Sequence, residues 1–159
     1  MNKTYLLLGS NMGNSQQQLT IAVKSITRQI GKVIRQSSLY ATAAWGNANQ
    51  PDFLKQVIIV ETKLTALQTI EIILGIEKKM GRVRTTKNAP RIIDIDILFF
   101  NKEIIDEKTL AVPHPQIENR RFVLIPLNEL SPNFKHPVSH KTIHRSLNDC
   151  ADALDVRKF

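Results

Sequence analysis

Arg91-Ile92-Ile93-Asp94-Ile95-Asp96-Ile97-Leu98-Phe99-Phe100 places two acids at every-second positions inside an otherwise apolar run. Successive side chains of a strand point to opposite faces. The period of two therefore predicts a strand over 92–100, with Ile93, Ile95, Ile97 and Phe99 on one face and Asp94 and Asp96 together on the other. A rise of about 3.3 Å per residue puts the two carboxylates roughly 7 Å apart at the backbone. Parallel carboxylates in an apolar strand either have raised pKa values or call for a cation, and hard oxygen ligands in this arrangement suit Mg²⁺ clamped onto phosphates. A half-exposed strand with a polar face is the plainer alternative.

Moving toward the amino terminus, Thr65 and Gln68 form a T-x-x-Q capping box, and Leu67, Ile70, Ile73 and Leu74 supply the buried stripe of a helix that ends near Gly81. Residues 53 to 63 read as a strand centred on Val57–Val60, and 33 to 41 as another. Between them lies an irregular loop, 42–51, long enough to be functional. Leu19, Ala22, Val23, Ile26 and Ile30 share one helical face, preceded by a strand over 4–8 and the turn formers Gly9-Ser10-Asn11-Met12-Gly13-Asn14. Toward the carboxyl terminus, helices are expected over about 119–130 and 142–151. Strand, helix, strand, strand, helix, strand is the ferredoxin-like α+β plan, an antiparallel sheet with helices packed on one face. Many functions use this plan, so the site residues must decide among them.

A length of 159 residues predicts one domain over 1–159. Cys150 is the only cysteine, so no internal disulfide or CxxC knuckle can form, which suits the cytoplasm. The apolar run Tyr5–Leu8 stops at Gly9, short of a signal-peptide core, and no stretch approaches the length of a membrane span. A net charge of +8 calls for an anionic partner. Nucleic acid is disfavoured, because only 6% of residues are aromatic and no RNP1-like string of Gly and aromatics occurs, as a ferredoxin-like RNA-binding module would need.

The basic run narrows the choice further. Lys78, Lys79, Arg82, Arg84, Lys87 and Arg91 place six cations in residues 78–91 with no acid among them, leading directly into Asp94 and Asp96. Such a run is often just a solvated loop. Beside metal-binding acids, however, it supplies what polyphosphate transfer requires: charges that neutralise phosphate oxygens in the transition state. Glu77 falls on the apolar stripe of its helix, where a carboxylate is costly unless paired or in contact with a ligand. Pro113-His114-Pro115 holds a histidine in a rigid stretch, with Asn119-Arg120-Arg121-Phe122 close behind. The Walker, dinucleotide-binding and protein-kinase signatures are all absent from the sequence.

Four segments in this order resemble the 6-hydroxymethyl-7,8-dihydropterin pyrophosphokinase family: Leu8-Gly9-Ser10-Asn11-x-Gly13; Gln50-Pro51-Asp52-Phe53-Leu54; Gly81-Arg82-Val83-Arg84 with Pro90-Arg91-x-x-Asp94-Ile95-Asp96-Ile97-Leu98; and Val112-Pro113-His114-Pro115 with Asn119-Arg120-x-Phe122. The resemblance spans residues 5 to about 130. It implies a ferredoxin-like monomer that uses ATP and two Mg²⁺ ions, held by Asp94 and Asp96, to transfer pyrophosphate to the pterin hydroxymethyl group. Neither nucleic acid nor a membrane is implied as a partner. It further implies Arg82 and Arg91 beside the metal ligands as catalytic residues, and Glu77, Arg84, Lys87, Arg91, His114 and Arg120 on the ATP side. Thr42, Trp45, Phe53, Lys55 and Phe122 would line the pterin pocket. Lys55 departs from the family, which usually carries Asn there. An ammonium only donates hydrogen bonds, so the expected role of Lys55 is donation to a pterin oxygen or ring nitrogen. Loss of pterin turnover in a nucleotide-binding relative is the alternative that Lys55 and the altered 85–89 loop keep open.

Overall fold

The computed structural model describes residues 1–44, 49–83 and 89–159. In chain order the elements are β1 (Asn2–Ser10), α1 (Ser15–Gln29), β2 (Gly31–Gln36), β3 (Tyr40–Thr42), β4 (Phe53–Thr62), α2 (Ala66–Lys79), β5 (Asp94–Phe100), β6 (Ile105–Glu107), β7 (Leu110–Val112), α3 (Arg121–Leu130), α4 (Ile143–Asp149) and β8 (Val156–Lys158). The main sheet runs β5-β1-β4-β3-β8, β2 also pairs with β4, and every pairing is antiparallel. This is the ferredoxin-like α+β arrangement, with the second strand divided into β2 and β3. The division falls at Ser37, whose N–H donates to Val57 O while its Oγ accepts from Val57 N–H, replacing ladder bonds on both sides of a break.

Local signals hold where expected. The Thr65–Gln68 capping box opens α2, and Gly81 follows its last turn at φ +98°, a backbone region that side chains with a Cβ rarely adopt. The buried stripe of α2 is rotated from expectation, however. Ala66, Thr69, Ile73, Ile76 and Glu77 are buried, while Leu67 and Leu74 are each 41% exposed.

Both faces of the sheet are covered, which corrects the expectation of helices on one face. α1 and α2 pack on Leu6, Leu8, Leu54, Ile58, Val60, Ile95 and Ile97. α3 and α4 contribute Phe122, Leu124, Leu127 and Ile143 to the cluster with Leu7, Val57, Ile59 and Phe99. The unbroken apolar runs in β1 and β4 follow from this, because a strand buried on both faces has no polar side to show. In β5 the expected alternation holds through Ile97 and then shifts. Leu6 pairs with Ile97 but Tyr5 pairs with Phe99, leaving Leu98 as an extra residue. Beyond this bulge Phe99 joins Tyr5 and Phe134 on the α3 side instead of lying with Ile93, Ile95 and Ile97.

Candidate active site

A cleft of about 450 Å³ opens at one end of the face that α3 covers, where β5 begins and β1 ends. Strand register places its floor. Gly9 of β1 pairs with Lys55 of β4 on one side and with Asp94 of β5 on the other. Phe53 and Lys55 share a face of β4, and Asp94 and Asp96 share a face of β5. Phe122 is the second residue of α3, two positions after Arg120. The end of α2 adds Glu77 and, just beyond it, Arg82; all of these line the cleft.

The charges are ordered before any ligand arrives. Glu77 is 3% exposed, and its Oε2 accepts from Arg82 Nη1 at 2.7 Å and from the Ile95 N–H at 2.8 Å. Arg82 Nη1 also donates to Asp94 Oδ1 at 2.8 Å, and Arg91 Nη1 donates to Asp94 Oδ2 at 2.9 Å. Burial alone would raise the Asp94 pKa, but Lys55, Arg91 and Arg82 outweigh it and hold the carboxyl below its ordinary range. Burial also opposes the charge on Arg82, and Asp94 and Glu77 overcome that opposition. Asp96 differs sharply. It forms no hydrogen bond or ion pair among the described residues, and burial together with the neighbouring Asp94 charge pushes its pKa up to about 7.

Lys55 is 6% exposed, and a Cβ at position 9 would lie 2.8 Å from its Nζ, so only glycine leaves room for the side chain to lie across β1. Its Nζ is 4.4 Å from the Phe53 ring centroid and 4.8 Å from that of Phe122. Burial lowers the Lys55 pKa, opposed by Asp94 and Asp96. His114 is fixed by its N–H donating to Leu98 O, the carbonyl of the bulge residue. Its Nδ1 accepts from Gln116 N–H, which leaves Nε2 as the protonated nitrogen. Burial and Arg120 lower its pKa, keeping the ring neutral.

Of the residues anticipated from sequence, Thr42, Phe53, Lys55, Glu77, Arg82, Arg91, Asp94, Asp96, His114, Arg120 and Phe122 line this one cleft. Trp45, Arg84 and Lys87 lie outside the described residues. Asn11 is the residue that sequence reading underrated. Its side chain donates to Gln50 Oε1 and Pro51 O and accepts from Arg91 N–H, while its own N–H donates to Arg91 O. It thereby fastens the 50–51 loop to the segment that carries Arg91. Its sequence signals were a place in a cluster of turn formers and in the Leu8–Gly13 segment of the family resemblance, neither of which points to these partners.

The donor set fits a hard divalent cation. Among the described residues Asp96 is an unpaired carboxylate beside a second one, and no third Asp, Glu, His or Cys completes a cage. Oxygens of a phosphorylated substrate and of water would have to fill the remaining coordination, as Mg²⁺ prefers. Fold and cleft together define a ferredoxin-like domain whose cleft sets a carboxylate pair and a guanidinium cluster alongside two phenylalanine rings.

Sequence and structure comparisons agree with that class. The sequence model of the 7,8-dihydro-6-hydroxymethylpterin-pyrophosphokinase family matches residues 5–132, and the chain belongs to this family. It is 38% identical over 143 residues to the 2-amino-4-hydroxy-6-hydroxymethyldihydropteridine pyrophosphokinase of Aquifex aeolicus, covering 90% of this chain and 89% of that one. The protein of the same name from Methylorubrum extorquens is 37% identical over 134 residues, covering 84% of this chain and 85% of its own. A crystal structure of Plasmodium falciparum HPPK-DHPS superposes with a TM-score of 0.76 at 22% identity. It shares the fold over 94% of this chain, which spans 43% of that longer one.

Proposed function

We propose that the whole chain, residues 1–159, acts as one pyrophosphokinase domain. It transfers pyrophosphate from ATP to the hydroxymethyl group of 6-hydroxymethyl-7,8-dihydropterin, releases AMP and serves folate synthesis. The carrying observation is the unpaired Asp96 beside the doubly paired Asp94, set between a guanidinium cluster and an aromatic slot. The hydroxymethyl oxygen bonds to the β-phosphorus as the bond from that phosphorus to the α–β bridging oxygen breaks, AMP leaves with that oxygen, and the hydroxyl proton passes to solvent. Two Mg²⁺ ions at Asp94 and Asp96, when bound, supply Lewis-acid activation of the alcohol and neutralise phosphate charge.

The protein's own groups orient and compensate. Arg82 and Arg91, already fixed on Asp94, face the phosphates and offset the charge that shifts toward AMP. Glu77 holds Arg82 in place on the ATP side, where neutral His114 donates from Nε2 and Arg120 adds charge, with Arg84 and Lys87 completing the set. Phe53 and Phe122 stack on the pterin, beside Thr42, Trp45 and Lys55. The chain works as a cytoplasmic monomer with no nucleic-acid or membrane partner; no helix among the described residues is long and apolar enough to cross a membrane. The direct test is AMP release from ATP and Mg²⁺. AMP that appears only with the pterin supports the reading, and its absence with both substrates present overturns it.

A further inference from the structure

We infer that the segment 152–158 braces the two phenylalanine walls of the cleft against each other, with Asp152 and Arg157 as positioning residues that set the width of the slot. The inference rests on the pterin reading above, and neither residue itself lines the cleft. The walls come from elements far apart in the chain. Phe53 opens β4 and Phe122 belongs to α3, and their ring centroids lie 4.4 and 4.8 Å from Lys55 Nζ. A flat ring held between two aromatic faces is sensitive to their separation, because a gap of about 0.5–1 Å forfeits roughly a quarter to a half of the dispersion contact.

One end of the brace holds the Phe122 wall. Arg120, the residue before α3, makes no side-chain capping bond. Asp152 supplies the acceptor from 31 positions beyond Arg121: its Oδ2 accepts from Arg121 N–H at 3.0 Å, while Oδ1 accepts from Leu154 N–H at 2.9 Å and directs the chain toward β8. A carboxylate there satisfies an orphan donor and suits the positive end of the helix dipole. Between the two ends, Leu154 and Val156 pack against the apolar cluster that contains Phe122, so the segment is seated along its length.

The other end holds the Phe53 wall. β8 pairs with β3 and β3 with β4, so Val156, Thr42 and Phe53 stand in line across three strands, as do Arg157, Ala41 and Leu54. β3 has only three residues, and β8 covers its outer edge. Phe159 N–H donates to Leu39 O at 2.9 Å; N–H groups alternate sides along a strand, so Arg157 N–H also faces β3 and Lys158 N–H faces away. The Arg157 guanidinium adds a second tie, donating from Nη2 to Oδ2 of Asp52, the residue before Phe53, at 3.4 Å. The groups assigned to metal and phosphates come from residues 77–96 and 114–120. Slackening the brace should therefore cost the pterin and spare the nucleotide.

The test measures equilibrium binding of a nonhydrolysable ATP analogue with Mg²⁺, and of 6-hydroxymethyl-7,8-dihydropterin in the presence of both. The proteins are wild type, Asp152→Ala, Asp152→Asn, Arg157→Pro, Lys158→Pro and the Asp152→Ala/Arg157→Pro double variant, each checked for a cooperative thermal melt. Asp152→Ala and Arg157→Pro should each weaken pterin binding by about 5-fold or more, by lowering the fraction of molecules whose slot has its working width, while analogue affinity stays within about twofold. Asp152→Asn, whose amide oxygen still accepts, and Lys158→Pro, which removes an N–H facing away from β3, should stay within about twofold of wild type for both ligands. A brace cut at one end is already slack, so the double variant should bind pterin no more than about twofold worse than the weaker single, whereas independent local effects would multiply to about 25-fold. Unchanged pterin affinity in the folded single variants, an equal loss of analogue affinity, or multiplying effects in the double variant overturns the inference. Should Arg157→Pro not melt cooperatively, Arg157→Ala, which keeps the N–H and loses only the Asp52 tie, takes its place; a loss of about twofold in pterin affinity is then expected, and no loss overturns the inference. AMP release by wild type with the dihydropterin is run alongside. If AMP forms and the variants bind pterin normally, the brace alone falls; if no AMP forms, the pyrophosphokinase reading falls and the brace, which rests on it, falls too.

Discussion

The two faces of β5 put the same stretch of chain to opposite uses. Toward α1 and α2, Ile93, Ile95 and Ile97 are each no more than 3% exposed in a wholly apolar cluster. Toward α3, the intervening Asp94 and Asp96 stand in a cleft with Lys55, Arg82 and Arg91. The apolar face contributes stability roughly in proportion to the area it removes from water. The charged face cannot, since desolvating ions costs about as much as pairing returns, and one of its carboxylates is left unpaired. Over residues 93–97, therefore, one side of the strand contributes stability and the other is given over to charge, and β5 returns to apolar packing on both sides only beyond Leu98.

That division makes mutational effects separable. Asp96→Ala should lower kcat by about 10³-fold or more without lowering the melting temperature, because it would remove the proposed metal ligand and strand no partner among the described residues. Asp94→Ala should lose as much activity and also melt earlier, since Arg82 and Arg91 lose their shared partner. Full activity in both variants would remove the carboxylate pair from the mechanism. On the apolar face, Ile58→Ala should cost about 3 kcal/mol, roughly 10 °C in Tm, with turnover per folded molecule unchanged. A drop in kcat without loss of stability would break the separation.

Asp96→Asn sharpens the comparison through pH. The folded pKa of Asp96 lies near 7, above the ordinary carboxylate value, so its contribution is present at low pH and lost as pH rises through about 7. In metal-free buffer the Asn variant should match wild type below about pH 4 and exceed it by about 1–2 kcal/mol at pH 8. Denaturant melts across that range check the crossover, and a constant difference would contradict it. The smallest effect lies on β3, at a residue that does not line the cleft. Tyr40 Oη donates to Glu129 Oε1 at 2.6 Å, and burial followed by the Glu129 bond pushes the tyrosine pKa up to about 12. Tyr40→Phe should cost about 1 kcal/mol at neutral pH and leave activity intact, and the difference should vanish as pH rises from about 10 through 12.

What the sequence revealed was mostly local. The Thr65–Gln68 box is complete within four residues, and the shared face of Asp94 and Asp96 follows from a period of two over three residues. Glu77 stood out as a carboxylate on an apolar stripe, but its partners, the Ile95 N–H and Arg82, depend on how α2 docks against β5. The neighbourhood of Lys55 depends on a register that pairs residues 9 and 55, which no local pattern encodes. Asn11 joins loops about 40 and 80 residues away through ordinary turn chemistry. The Leu98 bulge was invisible because Ile97, Leu98, Phe99 and Phe100 are all apolar, so a slipped alternation reads the same as a regular one. β8 is three residues long, too short for any period to register.

The extra residue in β5 works like a frameshift within a strand. Upstream of it the odd-numbered side chains face α1 and α2; downstream the assignment inverts, so the carboxylates can line the cleft while Phe99 closes the aromatic cluster beyond it. Removing one residue at Leu98 would restore a uniform strand, and a uniform strand can satisfy only one of those two ends. Either the acids would be forced among isoleucines or Phe99 would abandon Tyr5 and Phe134. Because Leu98 O also receives the His114 N–H, the same deletion would misplace a cleft residue sixteen positions further along the chain. Length at this point in the chain is thus constrained more tightly than side-chain identity, and indels should be tolerated here far less than apolar exchanges.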